Sequence, residues 1–277
     1  MLQVSLEERA SRRLSPETVE TVHELIRTSG YVVFDRLVDG ERIEAIRRAF
    51  DPLFDEYVAR RGYNTGVKRA RMYLPFEPPF CDEEIVANPF ILPILEAVLG
   101  PGMRCTYFAS DTPAEGSDYQ SAHSDISPLF PEVSVSLPTY AMVVNIPLVD
   151  VTDENGPLEI WPGTHNNPEW SHHVTLDGTV GPHLDIVRAA SRMHSERVAM
   201  AAGSVVLRDS RTWHRGTPNR TLERRTNLAM VYSRHWMGAG GTIAVPRHTY
   251  DGLSLAGQRL FRHEKIGAAV EMPWERG

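Results

Sequence analysis

Residues 140–165 read YAMVVNIPLVDVTDENGPLEIWPGTH, a strand–turn–strand signal around which the rest of the chain arranges itself. The apolar run Tyr140–Leu148 and the shorter Pro157–Trp161 are strand-like, and Asn155-Gly156 and Pro162-Gly163 supply the turns. Similar short runs lie on either side, at Met103–Ala109, Val198–Leu207 and Thr226–Ser233. The first hundred residues read differently. Ser15-Pro16 is a helix start, with an N-cap followed by proline at the first helical position, and Gly30 is a stop. Tyr31–Asp35 is a short strand. Glu41–Arg61 is an amphipathic helix that Pro52 is expected to kink or divide, and Asn88-Pro89 opens a further helix that closes at Gly100. Helices followed by many short strands predict a mainly β protein with flanking helices (α+β), a sandwich or barrel core with a helical buttress.

Composition narrows the function classes. The 277 residues suit one large domain or two modest ones, and no linker or repeat divides them. A single domain is expected: a helical buttress over about 1–100, a β core over about 101–235 and a C-terminal extension over 236–277. With 29 basic and 36 acidic residues the net charge is −7, which argues against a general nucleic-acid binder. Cys81 and Cys105 form no CxxC pair, so no zinc ribbon and no disulfide framework is expected. Met1–Glu20 has no apolar signal region, and no run approaches the ~18 apolar residues of a membrane span. A cytoplasmic protein with no membrane partner is expected; the oligomeric state is left open.

The chemistry concentrates in His123-Ser124-Asp125, followed 89 residues after Asp125 by His214. Side chains at i and i+2 on an extended segment share a side, so His123 and Asp125 can present two ligands together. Two imidazoles and one carboxylate hold one face of an iron(II) ion and leave the opposite face open. With 11 histidines and 36 acidic residues, an HxD somewhere in the chain is unremarkable by itself.

Three blocks give it a context. They are Tyr119-Gln120-Ser121-Ala122-His123-Ser124-Asp125, then Asn145–Glu159 with Pro162-Gly163-Thr164-His165, then Gly203–Ser210 with His214-Arg215-Gly216, Asn219-Arg220 and Arg224-Arg225. Together they resemble the phytanoyl-CoA dioxygenase family of iron(II)/2-oxoglutarate-dependent oxygenases, over roughly residues 25 to 235. Thr164 stands where serine is commoner. The resemblance implies a double-stranded β-helix (jelly-roll) core, iron(II) held by His123, Asp125 and His214, and 2-oxoglutarate and dioxygen as cosubstrates. It also implies that Arg225 pairs with the distal carboxylate of 2-oxoglutarate. A carboxylate out of water needs a planar, permanently charged partner giving two parallel hydrogen bonds, which suits arginine. Arg224 is the rival, and on a strand only one of the two neighbours points inward. Gln120 is a second contact, to cosubstrate or substrate. Lys68 sits at about the spacing where family members place a lysine near the cosubstrate. It lies in a stretch from Arg60 to Arg71 with five basic residues and no acidic one. A basic arm there favours an acidic substrate or helps hold 2-oxoglutarate, and a solvated loop is the alternative.

The expected activity is oxidation, above all hydroxylation, of a small-molecule substrate, with a role in secondary metabolism suggested by the family's wide use there. Halogenating relatives carry a small residue where Asp125 stands. Two other readings compete. A cupin-like metal enzyme without 2-oxoglutarate would carry HxH and a following Glu, which are not found around His123; a non-enzymatic binder would not need all three ligands and Arg225. Other residues are weaker candidates. His165 orders a loop, His172-His173 belong on the surface, and Gly238–Gly241 has no following helix and forms a flexible connection. Trp161, Trp213 and Trp236 are core or pocket residues, and Ser127–Pro138 is a candidate entrance or lid.

Overall fold

The computed structural model describes residues 1–130, 135–167, 183–238 and 240–276. Its helices are α1 (Leu6–Ser11), α2 (Pro16–Ser29), α3 (Gly40–Arg61), α4 (Glu83–Val86), α5 (Leu92–Leu99), α6 (His183–Ala190), α7 (Arg247–Gly252) and α8 (Leu255–Phe261). The strands are β1 (Tyr31–Phe34), β2 (Arg69–Tyr73), β3 (Arg104–Pro113), β4 (Ala141–Pro147), β5 (Leu158–Ile160), β6 (Glu196–Val198), β7 (Val205–Asp209), β8 (His214–Gly216), β9 (Asn227–Ser233), β10 (Ala244–Val245) and β11 (Lys265–Ile266).

Helix α2 shows how local chemistry sets the buttress. The Ser15 hydroxyl accepts from the Thr18 amide at 3.1 Å, and Pro16 occupies the first turn, where a missing N–H costs nothing. Gly30 ends the helix at φ +81°, and a Cβ there would come within 2.5 Å of His165 Nδ1 and Thr212 Oγ1. Only glycine meets both demands. Helix α3 runs through Pro52 without being divided there, the division having been one of the two expected outcomes. Phe50 and Phe54 flank the proline, stack at 5.4 Å between ring centres and are buried, so packing outweighs the lost backbone bond. Helix α5 begins at Leu92-Pro93 rather than at Asn88-Pro89. Asn88 Oδ1 instead accepts from the Phe90 amide at 3.0 Å, closing a turn before the helix.

Six strands form an antiparallel sheet in the order β1-β7-β4-β9-β3-β2, and three form a second antiparallel sheet, β6-β5-β8. The run Val198–Leu207, expected as one strand, divides between them. Gly203 turns the chain at φ +75°, tight against the Val38 carbonyl, and an apolar sequence on both sides hides that turn. On the large sheet the strand period of two separates the faces. Met142, Val144 and Ile146 of β4 and Leu228, Met230 and Tyr232 of β9 pack with α2, α3 and α5 in the main core. Their alternates Val143, Asn145, Asn227, Ala229 and Val231 look the other way, into a cavity of about 440 Å³. Val33, Val206, Val151, Ile160, Val198 and Met200 form a second apolar cluster that joins the two sheets.

The C-terminal segment packs back on the core: Phe261 meets Phe76 at 4.5 Å, and Phe76 meets Phe108 at 5.4 Å. Cys81 and Cys105 are free and buried. Among the described residues no helix is long and apolar enough to cross a membrane.

Candidate metal centre

His123 and His214 lie on two chain segments paired through their backbones. The His123 amide donates to the His214 carbonyl at 3.0 Å, and the His214 amide donates back at 2.9 Å. This rung adds the 120–123 segment to the small sheet beside β8 and brings the imidazole centres to 4.4 Å. Asp125 is fixed next to them by its own amide, which donates to the Ser210 carbonyl at 2.9 Å at the end of β7. One ligand atom from each of His123, Asp125 and His214 lies within 4.8 Å of the others.

The protonation pattern suits a cation. His123 Nδ1 is 2.8 Å from the Ser121 carbonyl, which can only accept, so Nδ1 carries the proton and Nε2 keeps its lone pair. Burial, with His214 beside it, pushes the His123 pKa down to about 4, so the ring is neutral at pH 7. His214 Nδ1 lies 3.0 Å from the Thr212 carbonyl, which only accepts, and 3.1 Å from an Arg208 nitrogen, which only donates; its Nε2 lies 3.4 Å from Asp125 Oδ1. Burial alone would raise the Asp125 pKa. The charges of Arg208 and His214 outweigh it and hold the carboxyl well below the ordinary carboxylate range.

The sequence did not single out Arg208. It is buried, its NH2 donates to Asp125 Oδ2 at 2.6 Å, and its NH1 lies 3.1 Å from His214 Nδ1. An arginine closing a fully buried strand, VVLRD, was the available signal, because such a charge is buried only with a partner.

Arg225 and Arg224 separate as neighbours on an extended chain must. Arg224 turns outward to Asp55 at 2.7 Å and lies over the Phe54 ring. Arg225 is 2% exposed and lines the cavity. Its Nε and NH2 both donate to the Gly156 carbonyl, at 3.0 and 2.7 Å, while NH1 has no hydrogen-bond partner among the described residues. Burial pushes its pKa down to about 10, which still leaves it charged at pH 7. The Gly156 carbonyl is delivered by the turn between β4 and β5, where Asn155 bridges the Thr152 amide and the Asp150 carbonyl. Two further buried polar atoms on the cavity wall lack partners, Asn227 Oδ1 and Ser210 Oγ. Orphaned buried groups converging on one space are what a polar ligand would satisfy.

The remaining sequence candidates are placed as follows. Gln120 lines the cavity, and its Oε1 accepts from the Gly216 amide at 2.9 Å, leaving the amide NH2 for a ligand. Lys68 is not brought to the site: it is exposed, lies beside Gly116 and does not line the cavity. Arg69 and Arg71 of the same basic stretch come closer. Arg69 is buried flat against Gly216, and Arg71 lines the cavity. Trp161 and Trp213 pack with Ala122, Ile186 and Ala190 in a small core cluster, and Trp236 is exposed. His165 is buried beside Gly30, away from the three clustered ligands. His172-His173 lie outside the described residues, as does part of Ser127–Pro138; the described part lines a smaller cavity with Ser124 and Tyr140. Arg104 donates to the Gly238 carbonyl at 2.7 Å at the start of the glycine segment.

Comparison with known proteins adds three findings. The phytanoyl-CoA dioxygenase family profile matches residues 26–227. A curated relative, L-proline trans-4-hydroxylase of Streptomyces griseoviridis, is 31% identical over 109 residues, which is 34% of this chain and 41% of that protein. Among solved structures, the non-haem α-ketoglutarate-dependent carbocyclase SnoK from nogalamycin biosynthesis superposes with TM-score 0.58 at 21% identity, covering 80% of this chain and 84% of that one. The corresponding epimerase SnoN gives 0.55 at 19%, covering 79% and 84%. At these identities the two structures speak for the fold alone.

Proposed function

The chain belongs to the phytanoyl-CoA dioxygenase family, and from that membership we propose that it is an iron(II)- and 2-oxoglutarate-dependent oxygenase that hydroxylates a small molecule. The observation that carries the proposal is the convergence of His123, Asp125 and His214 on one cavity with a buried Arg225 that has a free N–H. We read the six-stranded and three-stranded sheets as the two halves of a jelly roll within one oxygenase domain.

His123 Nε2, one Asp125 oxygen and His214 Nε2 would hold iron(II), and Arg225 would receive the distal carboxylate of 2-oxoglutarate through NH1. When bound, iron, 2-oxoglutarate and dioxygen together supply the oxidant for a substrate C–H bond. The rest is the work of side chains. Arg208 occupies Asp125 Oδ2 and so commits Oδ1 to the metal side. The Ser121 carbonyl fixes the His123 tautomer, as carbonyl partners do behind metal-binding histidines, and the Thr212 carbonyl lies behind His214. Val143, Leu158, Ala229 and Val231 give the cavity an apolar lining that limits water around a reactive centre. The retained carboxylate of Asp125 supports hydroxylation over halogenation. L-proline is the first substrate to test, because the curated relative is named for it.

Anaerobic addition of iron(II) and 2-oxoglutarate to the metal-free protein is expected to give a visible charge-transfer band, and His214→Ala is expected to lose it. Absence of the band from folded wild-type protein would sink the oxygenase reading.

A further inference from the structure

The basic stretch before β2 is resolved by register. Along Arg69–Tyr73, Ala70 and Met72 enter the main core, so Arg69, Arg71 and Tyr73 occupy the opposite face. Across the ladder from Arg71 stands Asp111, the natural partner for an ion pair. Asp111 is engaged elsewhere: Arg69 NH1 lies 3.3 Å from its Oδ2, and Arg69 NH2 donates to the Thr217 carbonyl at 3.0 Å. Arg69 is 1% exposed and has the stronger claim, since an unpaired buried cation costs several kcal/mol while Arg71 is exposed to water at the cavity mouth. The Arg71 guanidinium has no hydrogen bond or ion pair among the described residues, and it lines the cavity. Tyr107 lines it too, with no partner for its hydroxyl among the described residues, and Arg71 is the nearby charge that acts most strongly on that hydroxyl.

We propose that Arg71, with the Tyr107 hydroxyl, binds an acidic group of the substrate, so that the enzyme acts on a small organic anion such as a carboxylate. This rests on the oxygenase reading and deepens it.

The charge balance of the loaded site points the same way. Iron(II) with Arg69, Arg71, Arg208 and Arg225 contributes six positive charges. Asp111, Asp125 and the two carboxylates of 2-oxoglutarate contribute four negative ones. Two positive charges remain uncompensated in a chain whose net charge is −7. A positive cleft in an acidic protein draws anions selectively and repels cations. Iron and Arg225 account for both carboxylates of the cosubstrate, so Arg71 is left for the substrate.

The test uses trifluoroacetate as a carboxylate probe and trifluoroethanol as its neutral counterpart. Protein is loaded with manganese(II) and saturating 2-oxoglutarate, and manganese uptake is read by electron paramagnetic resonance. The fluorine relaxation of each probe is then titrated. Wild-type protein is expected to enhance trifluoroacetate relaxation saturably and to leave trifluoroethanol unaffected. Arg71→Gln is expected to weaken trifluoroacetate binding by about tenfold, the value of a charge-assisted hydrogen bond, and Arg71→Lys to recover part of it. The proposal is overturned if wild type gives no saturable enhancement, if Arg71→Gln matches wild type, or if the alcohol behaves like the acid. Failure to take up manganese would overturn the oxygenase reading itself, and manganese uptake by Arg71→Gln reports that the variant is folded.

Discussion

Replacing Arg225 by leucine is expected to weaken 2-oxoglutarate binding by about two to four orders of magnitude, because removing one partner of a buried charge pair costs roughly 3–5 kcal/mol. Geometry makes the effect large. The guanidinium is almost fully buried, and Nε and NH2 each give one N–H to the Gly156 carbonyl, leaving NH1 and the second N–H of NH2 for the carboxylate. Leucine would leave the carboxylate without its cationic partner. Anaerobic titration of the charge-transfer band measures the change. Iron uptake without 2-oxoglutarate is expected to survive, since Arg225 contacts none of the three metal-site residues. Arg224→Leu is the control, because Arg224 faces α3 and its acidic residues. Unchanged affinity in Arg225→Leu would remove that residue from the site.

Asp209→Ala is expected to lower the unfolding free energy by about 3–5 kcal/mol. Asp209 is wholly buried and accepts from Arg211 Nε at 2.9 Å, from NH2 at 2.7 Å and from the Arg211 amide at 2.9 Å. Alanine would strand a mostly buried guanidinium. Burial by itself would raise the Asp209 pKa, but the Arg211 bonds prevail and hold it below the ordinary value. The sign follows: the stabilisation is complete above the unfolded value of about 4 and is lost as the pH falls through the lower folded value. Urea unfolding at pH 7 and at pH 3 measures both. A loss under 1 kcal/mol at pH 7, or a variant whose deficit does not shrink in acid, would refute the account. The double variant Asp209→Leu/Arg211→Met is expected to recover part of the loss by removing both charges. The ion pair also steadies the site, since neighbouring Ser210 holds the Asp125 amide.

How much of this was legible in the sequence depended on whether a residue's role was set locally. Ser15, Pro16 and Gly30 bracket α2 through their own backbone preferences, and the structure agrees. The strand ends around Asn155-Gly156 were legible for the same reason. At Pro52 tertiary packing overrides the local penalty far enough that the helix is not divided, and the Val198–Leu207 run misled because the turn at Gly203 sits inside a mostly apolar sequence. In the site, the HxD spacing and the second histidine were visible from motif order. Strand alternation said that only one of Arg224 and Arg225 faces inward, and the family resemblance chose Arg225. Lys68 against Arg71 was not legible, because spacing alone does not say where β2 begins, and one residue of register exchanges the faces. Arg208, Asn227 and Ser210 escaped notice because their importance lies in what surrounds them across the sheet.

The backbone rung between His123 and His214 bears on how such a chain can change over evolutionary time. The two imidazoles are tied by reciprocal amide bonds between strand ends, not by the covalent path that separates them. Loops along that path can therefore lengthen cheaply, since doubling a flexible connection costs only about 0.6 kcal/mol, while β4 to β7, which also lie on it, are held by the two sheets. Those loops are free to acquire new specificities while the strands between them carry the coordinating geometry intact, which separates the invention of substrates from the chemistry of the centre.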